Sequence, residues 1–246
     1  MCLLALAWQM DPEWPLVVVA NRDERHDRPA ATLSCWSDSR IVAGRDLEAG
    51  GTWMGLTGDT RWAALTNVRE PGLKPGGGPS RGGLVTEFLQ SEDSPQAFYQ
   101  RHAASFKDYA GFNLLLRAGD QLGLLSNRGS PLQILPPGVY GLSNAALNTP
   151  WPKVQRLRAQ LQAGLPAVRT HWLQWLSDRQ TAADAELPDT GVGLEIERLL
   201  SAVFIANPVY GTRCSTLVLQ GRGEWEIQEQ SWTPHGQPGV LIHLRG

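Results

Sequence analysis

The residue whose position suggests covalent chemistry is Cys2, which directly follows Met1 at the head of an apolar run. Its side chain is small enough to permit removal of Met1, which would leave the cysteine with both a thiol and a free α-amine. A thiolate attacks carbonyl carbon readily, and an α-amine that titrates near pH ~8 can accept the thiol proton without a histidine partner. The position therefore suits an N-terminal nucleophile, although a cysteine in an apolar strand is more often a small buried hydrophobe.

A charged run at residues 21–28 follows the second apolar segment of the chain. Charged runs usually face water, so a solvated turn is one interpretation. If the first two apolar segments pair as a hairpin, however, the charged run begins beside Cys2, and Asp23 can hold the new α-ammonium. Because side chains alternate along a strand, we expect Asn21 and Asp23 on one face and Arg22 on the other.

Polar side chains at other strand and helix ends extend this candidate site. Asn67 and Asn144 end apolar runs, and their amides can donate hydrogen bonds to an oxyanion, although asparagine also caps strand ends for backbone reasons alone. Arg81 lies in a glycine-rich segment, residues 72–83, that leads into a helix, where it can contact a carboxylate or phosphate. Arg213 enters a late strand and can supply positive charge.

The elements that must position these residues follow from hydrophobic periodicity. Apolar runs flank turn formers at residues 11–15, 58–59, 118–120 and 221–223, which predicts antiparallel hairpins near both ends of the chain. Helical spacing recurs at residues 84–89, 154–161, 172–176 and 195–203. This order predicts an α+β fold, a four-layer αββα sandwich of two antiparallel sheets with helices on the outer faces, in a single domain over residues 1–246.

Composition narrows the class of partner. The net charge is −2, so no global basic field attracts nucleic acid or anionic lipid. The 3 cysteines are too few for a disulfide framework and show no metal-ligand spacing, and the first apolar run is too short for a signal peptide. We expect a cytoplasmic protein with a small-molecule substrate or ligand, no metal, no other cofactor, no nucleic-acid partner and no stable membrane insertion. No serine elbow accompanies the 5 histidines.

An ordered set of short motifs spans almost the whole chain: Met-Cys at 1–2, NRDE at 21–24, GGTW at 50–53, TNVR at 66–69, SRG at 80–82, GLSN at 141–144, PWPK at 150–153 and YGTRCST at 210–216. This set resembles the NRDE proteins, also called the transport and Golgi organisation protein 2 family. That family looks like a branch of the N-terminal-nucleophile (Ntn) hydrolases and is similar in layout to choloylglycine hydrolases and penicillin V acylases, which hydrolyse amides with an N-terminal cysteine.

The resemblance implies the αββα fold and a role for each matching residue. Cys2 matches the nucleophile, Asp23 matches the aspartate after the second strand, and Asn67 and Asn144 match the two asparagines on the oxyanion side. The relatives usually carry an arginine three residues before the aspartate, where this chain has Ala20.

The cation beside the thiol is therefore a departure from the family pattern. Arg22 adjoins the aspartate, and Arg213 is a second candidate, because a nearby cation lowers the pKa of a thiol. Together with Arg81, these arginines are the expected substrate contacts.

Two hypotheses follow for the function. The first is an N-terminal cysteine hydrolase that cleaves a carbon–nitrogen (amide) bond of a small acylated metabolite. Members of the family are also linked to haem trafficking and to lipid or acyl-CoA handling, so the alternative is a non-catalytic protein that binds and moves haem or an acyl-CoA or lipid ligand. Catalysis requires the free amine of Cys2, whereas binding tolerates a retained Met1.

Overall fold

The computed structural model describes residues 2–70, 78–129 and 131–246. The strands of these residues, in chain order, are β1 (Cys2–Trp8), β2 (Leu16–Arg25), β3 (Ala30–Cys35), β4 (Val42–Asp46), β5 (Met54–Thr57), β6 (Arg61–Asn67), β7 (Phe112–Ala118), β8 (Gln121–Ser126), β9 (Gln133–Ile134), β10 (Gly138–Leu142), β11 (Tyr210–Gln220), β12 (Trp225–Trp232) and β13 (Pro238–Arg245). The α-helices are α1 (Gly82–Gln90), α2 (Pro95–His102), α3 (Pro152–Gly164), α4 (Val168–Leu176) and α5 (Leu194–Leu200).

These strands form two antiparallel sheets. The first has the order β10-β1-β2-β11-β12-β13, and the second has the order β3-β4-β5-β6-β7-β8-β9. Helices α3 and α4 pack on the first sheet, and α1 and α2 pack on the second. The predicted αββα sandwich is therefore confirmed. Among the described residues, no helix combines the length and the apolar composition that a membrane span requires.

The first strand lies at the centre of the molecule and is buried on both faces. Leu4 and Leu6 pack between the two sheets, whereas Leu3 and Ala5 pack against the helical layer of α3 and α4. Because both faces are covered, β1 reads as a continuous apolar run rather than as alternating apolar and polar residues. The Cys2 end of this strand is thus held on a rigid element.

The charged run after the second apolar segment belongs to a strand and not to a turn. Residues 21–25 continue β2, which pairs with β1 on one side and with β11 on the other. Asn21 and Arg22 pair with both neighbouring strands, whereas residues 23–25 pair with β11 alone. The side chains of Asn21 and Asp23 are buried and hydrogen-bonded. The interpretation as a solvated turn is wrong for this part of the run.

Candidate active site

Cys2 lies in the wall of a cavity of about 500 Å³ at one end of the inter-sheet layer. This volume falls within the range of small-molecule sites, about 300–1,000 Å³. The thiol residue is only 7% exposed, so it lies deep in the wall. Charged side chains line the same cavity, among them Arg22, Asp23 and Glu24 of β2, Arg213 of β11, and Arg81, which immediately precedes α1.

Arg22 is the cation that the strand register places opposite Cys2. It pairs with Cys2 across β1 and β2, and with Cys214 across β2 and β11. Its guanidinium lies 3.6 Å from the carboxylate of Asp46 on the second sheet, so the side chain points between the sheets. The strand register therefore places the Arg22 cation of β2 opposite Cys2.

The electrostatics of Cys2 favour a protonated thiol. Burial raises its pKa from 9.0 to about 11, the negative charge of Asp23 raises it as well, and the positive charge of Arg22 lowers it. Since the thiolate is the nucleophile, the thiol needs a base to react at neutral pH. Arg22 alone does not offset the burial.

Asp23 is buried on β2 next to Arg22, at 1% exposure. The Thr212 hydroxyl donates to its Oδ1 at 2.8 Å, and the Tyr210 hydroxyl donates to its backbone oxygen at 3.2 Å. The register of β11 against β2 shifts between Thr212 and Cys214, which produces a local irregularity at this point. Burial raises the pKa of the Asp23 carboxyl, and the positive charge of Lys153 lowers it.

The two predicted asparagines lie in one hydrogen-bond network that joins the two sheets. Asn144 Nδ2 donates to the backbone oxygen of Asn67 at 2.9 Å. The Ser143 hydroxyl lies 3.0 Å from the backbone oxygen of Cys2 and 3.1 Å from Asn144 Oδ1, so it can donate to either. In the part of the chain that the structure describes, Asn67 lines the cavity and Asn144 does not. The network therefore fixes Asn67 relative to Cys2.

The remaining predicted arginines also line the cavity. Arg81 immediately precedes α1, and its guanidinium donates to the backbone oxygen of Gly111 at 3.0 Å. Arg213 donates to the backbone oxygens of Arg25 and Arg28 at 2.8 and 2.9 Å, which holds the turn between β2 and β3. Of the glycine-rich segment that precedes α1, residues 72–77 lie outside the described residues.

Sequence reasoning missed three buried polar residues around the site. Lys153 belonged to a recognised motif, and Pro152 at the helix start could have placed it in the first turn of α3. Ser143 also lay within a recognised motif. The role of Glu229 could not be predicted, because no pattern in the sequence of β12 indicates that its carboxylate accepts a hydrogen bond from the Leu33 backbone N–H at 2.8 Å. Among the described residues, no cluster of histidine, cysteine and acidic side chains is arranged to hold a metal ion.

A two-sheet αββα sandwich with a cysteine at the start of a central strand defines a protein of the Ntn-hydrolase fold. The conjugated bile acid hydrolase of Clostridium perfringens, solved as its C2A mutant, superposes with a TM-score of 0.52 at 7% identity and covers 99% of this chain and 92% of its own. The Caenorhabditis elegans ortholog of N-acylethanolamine-hydrolyzing acid amidase gives a TM-score of 0.47 at 10% identity over 89% of this chain and 93% of its own.

Sequence comparison identifies the family within this fold. The chain belongs to the Transport and Golgi organisation 2 family, which it matches over residues 1–234. It is 34% identical over 245 residues to the Transport and Golgi organization protein 2 homolog of Bos taurus, covering 89% of this chain and 88% of the relative. The Homo sapiens homolog is 33% identical over 244 residues, with the same coverage of 89% and 88%. The resemblance read from the motifs is thus confirmed.

Proposed function

We propose that the protein is an N-terminal cysteine hydrolase that cleaves a carbon–nitrogen (amide) bond of a small acylated molecule. The observation that carries the proposal is the position of Cys2, on a central strand and in the wall of a cavity of about 500 Å³, beside Arg22 and Asp23. The proposal requires removal of Met1, because the reaction uses the α-amine of Cys2.

The free α-amine of Cys2 can act as the base that the thiol requires. Burial holds the pKa of Cys2 at about 11, so no appreciable thiolate exists at neutral pH without a proton acceptor. In the proposed reaction the α-amine takes the thiol proton, and Asp23 stabilises the resulting ammonium. The sulfur then attacks the acyl carbon, and its charge lies beside Arg22.

Breakdown of the tetrahedral intermediate completes the acylation step. The carbon–nitrogen bond breaks, the α-ammonium returns its proton to the leaving amine, and the acyl group remains on sulfur as a thioester. Water then loses a proton to the α-amine and attacks the thioester, which releases the carboxylic acid and restores the thiol.

We assign the oxyanion contact to Asn67, which lines the cavity, and assign to Asn144 the placement of the Asn67 backbone, whose oxygen it binds at 2.9 Å. Arg81 and Arg213 lie in the same wall and are the candidate contacts for polar or anionic parts of the substrate.

The test uses a cysteine that shares the cavity as its matched control. Cys214 also lines the wall and is buried, but it lies within a strand and has no α-amine. Protein freed of Met1, as verified by intact mass, is incubated with a panel of chromogenic N-acyl amides alongside Cys2→Ala and Cys214→Ala. We expect an acyl adduct and amine release in the wild type and in Cys214→Ala, and neither in Cys2→Ala.

Two results count against the proposed role of Cys2. Amine release that persists in Cys2→Ala would assign the reaction to another group. Absence of any adduct in Met1-free protein, combined with saturable binding of haem or an acyl-CoA, would favour the binding and trafficking alternative.

A further inference from the structure

Thr212 of β11 is a buried hydroxyl residue in direct contact with Asp23. It is 1% exposed and lies opposite Asp23 in the register of β11 against β2. Its hydroxyl oxygen lies 2.8 Å from Asp23 Oδ1. Of the residues that the structure describes, those lining the cavity include Asp23 but not Thr212. Any effect of Thr212 on the reaction therefore passes through Asp23.

A bulge in β11 brings Thr212 to this position. The register shifts between Thr212 and Cys214, so Thr212 rather than Arg213 lies opposite Asp23. In an unbroken antiparallel pair Arg213 would take that place, and Thr212 would face the other side of the sheet, because side chains alternate along a strand. The Arg213 guanidinium instead donates to backbone oxygens at the end of β2 and in the turn that follows. The bulge thus places a neutral donor, and not a cation, opposite the Asp23 carboxylate.

The backbone of Ile205 sets the direction in which the Thr212 hydroxyl donates. The Ile205 N–H donates to Thr212 Oγ1 at 2.9 Å, and the Thr212 N–H donates to the Ile205 oxygen at 2.9 Å. A hydroxyl has one proton to donate, and an N–H group cannot accept it. An ionised carboxylate, in contrast, only accepts. The Thr212 hydroxyl is therefore held as a donor to the ionised form of Asp23, and such charge-assisted hydrogen bonds are stronger than neutral ones.

A close backbone approach at Gly211 keeps Ile205 against Thr212. A Cβ atom at residue 211 would lie 2.5 Å from the backbone oxygen of Ile205 and 3.1 Å from His26 Nε2. Glycine is the residue that permits so close an approach. The N–H group that orients the Thr212 hydroxyl thus belongs to a tightly packed segment.

We propose that Thr212 is a positioning residue that holds the Asp23 carboxylate, ionised and in a fixed orientation, for the α-ammonium of Cys2. The strand register supports this placement, because Cys2 pairs with Arg22, the residue before Asp23. The role in the reaction rests on the proposed function, whereas the hydrogen bond from Thr212 to Asp23 does not. Serine at residue 212 should preserve the role because it retains the hydroxyl, and valine should abolish it because it retains only the shape.

Four ionisable side chains also interact electrostatically with Asp23: Lys153 of α3, Arg22 of β2, Tyr210 of β11 and Cys2 of β1. Burial raises the pKa of Asp23, and the positive charges of Lys153 and Arg22 lower it. Tyr210 and Cys2 are neutral at neutral pH, because burial raises the pKa of each. Thr212 acts differently from these charges, because it binds a carboxylate oxygen at 2.8 Å and so also fixes the orientation of the carboxylate.

The test compares two buried threonines of β11. Thr216 is also 1% exposed, and within the described residues its hydroxyl has no hydrogen-bond partner. Thr216→Val is therefore the matched control for Thr212→Val, since the same hydroxyl is removed from the same strand without the loss of a hydrogen bond. Thr212→Ser is the conservative variant that should restore the wild-type behaviour.

The titration of Asp23 is measured directly. Its carboxyl 13C resonance is assigned by its loss in Asp23→Asn and is followed against pH in each folded variant. We expect the Asp23 titration to move to higher pH by about one unit in Thr212→Val, because a hydrogen bond to the charged form is lost. It should stay near the wild type in Thr212→Ser and in Thr216→Val.

A second readout connects the hydrogen bond to Cys2. In Met1-free protein, the acidic limb of Cys2 alkylation by iodoacetamide should move to higher pH with the Asp23 titration in Thr212→Val. It should return to the wild-type position in Thr212→Ser. A loss of stability alone would not move this limb, so the pH profile separates a positioning role from a merely structural one.

Two results would overturn the inference. The first is an unchanged Asp23 titration in folded Thr212→Val. The second is a shifted Asp23 titration with an unmoved Cys2 limb, because Thr212 would then not act on Cys2 through Asp23. The proposed function fails by a separate result, amide hydrolysis that persists in Cys2→Ala, and neither titration depends on that assay.

A measurement on the wild type keeps the test decisive if Thr212→Val does not fold. The 13Cβ resonance of Thr212, assigned by its loss in Thr212→Ser, should follow the titration of Asp23, because protonation removes the charge that its hydroxyl binds. The 13Cβ resonance of Thr216 should not follow it, and the dependence at Thr212 should disappear in Asp23→Asn. A Thr212 resonance that is insensitive to the Asp23 titration would contradict the inference.

Discussion

Charged side chains are buried at both ends of the layer between the two sheets, but their surroundings differ between the two ends. At the Trp8 end, Arg117 is 2% exposed and donates to the backbone oxygens of Gly119 and Asp59, each at 3.2 Å, and to Gln220 Oε1 at 3.0 Å. Its guanidinium also lies 5.4 Å from the ring centroid of Trp8. At the Cys2 end, by contrast, charged side chains face a cavity of about 500 Å³.

This difference distinguishes a polar network that stabilises the fold from a group of polar side chains that can bind a ligand. Burial lowers the pKa of Arg117 only to about 10, so the group stays charged at neutral pH, and acceptors from three parts of the chain surround it. At the other end, within the described part of the chain, Arg81 donates to one backbone oxygen, that of Gly111, and lines the cavity. A network closed by protein acceptors fixes the fold, whereas one that faces open space retains capacity for a ligand.

The strongest test of this comparison is to remove the Arg117 guanidinium from its hydrogen-bond network. We expect Arg117→Met to lower the free energy of unfolding by about 3–5 kcal/mol, because the acceptors that surround Arg117 lose a buried charged partner. Urea unfolding measures the loss, and Arg222→Met, at an exposed position, is the control. Cys2 alkylation should be unchanged. A loss below about 1 kcal/mol would show that the network at the Trp8 end is not structural.

Sequence reasoning predicted the positions of the key residues because they lie on a hairpin. Two apolar runs separated by turn formers place residues 21–23 beside Cys2, and strand alternation puts Arg22 and Asp23 on opposite faces. Which of the two lies opposite Cys2 is given only by the register of the structure, which pairs Cys2 with Arg22. The positions of side chains that depend on contacts between layers could not be predicted from the sequence. The burial of Lys153, for example, requires α3 to pack across β1, which no local pattern encodes.

The strands and the helix that were not predicted from the sequence also fall into two groups, those that depend on contacts between distant segments and those with a local signal. Strands β3 and β4 were not predicted, because β3 is largely exposed and lacks an alternating apolar face, so pairing with β4 rather than its own pattern makes it a strand. Helix α2 was also missed, although its start was readable. Ser94 caps Ala97 N at 3.1 Å, and Pro95 occupies the first turn.

The open end of the layer should respond to pH through Cys2. In protein that retains Met1, the thiol pKa is raised from 9.0 to about 11, so the neutral thiol is the form that folding favours. Its alkylation by iodoacetamide should rise about tenfold per pH unit from pH 8 to pH 10. The same shift makes its contribution to stability complete below pH 9 and lost as the pH rises towards 11.

Peptide mapping separates Cys2 from Cys35, which is exposed and serves as the internal control. At pH 8 we expect Cys2 to react about a hundredfold more slowly than a thiol of ordinary pKa, because two pH units separate the thiolate fractions. Alkylation of Cys2 that matches Cys35 and levels off below pH 9 would contradict a buried, protonated thiol. Removal of Met1 should abolish the steep dependence if the α-amine becomes the base.

The wall of the open end depends on a close backbone approach at Gly51. A Cβ atom at this position would lie 2.6 Å from the backbone carbon of Gly82 and 2.9 Å from the backbone nitrogen of Gly83. Since backbone atoms cannot swing aside, we expect Gly51→Ala to lower the free energy of unfolding by about 1–3 kcal/mol. Urea unfolding measures this. A neutral effect would mean that the β4–β5 loop moves independently of α1.

Gly83 provides the matched position where the same added methyl group should stabilise. It is exposed in the first turn of α1, and a Cβ atom there meets nothing within 4 Å. Alanine restricts the unfolded chain and favours the helix, so we expect Gly83→Ala to raise the free energy of unfolding by about 0.5–1 kcal/mol. Gly83 is one residue from Gly82, which lies in the cavity wall. If Gly51→Ala lowers the free energy of unfolding and Gly83→Ala raises it, the need for glycine at residue 51 comes from the contact between the β4–β5 loop and α1. Destabilisation at both would instead mean that the start of α1 needs glycine flexibility for itself.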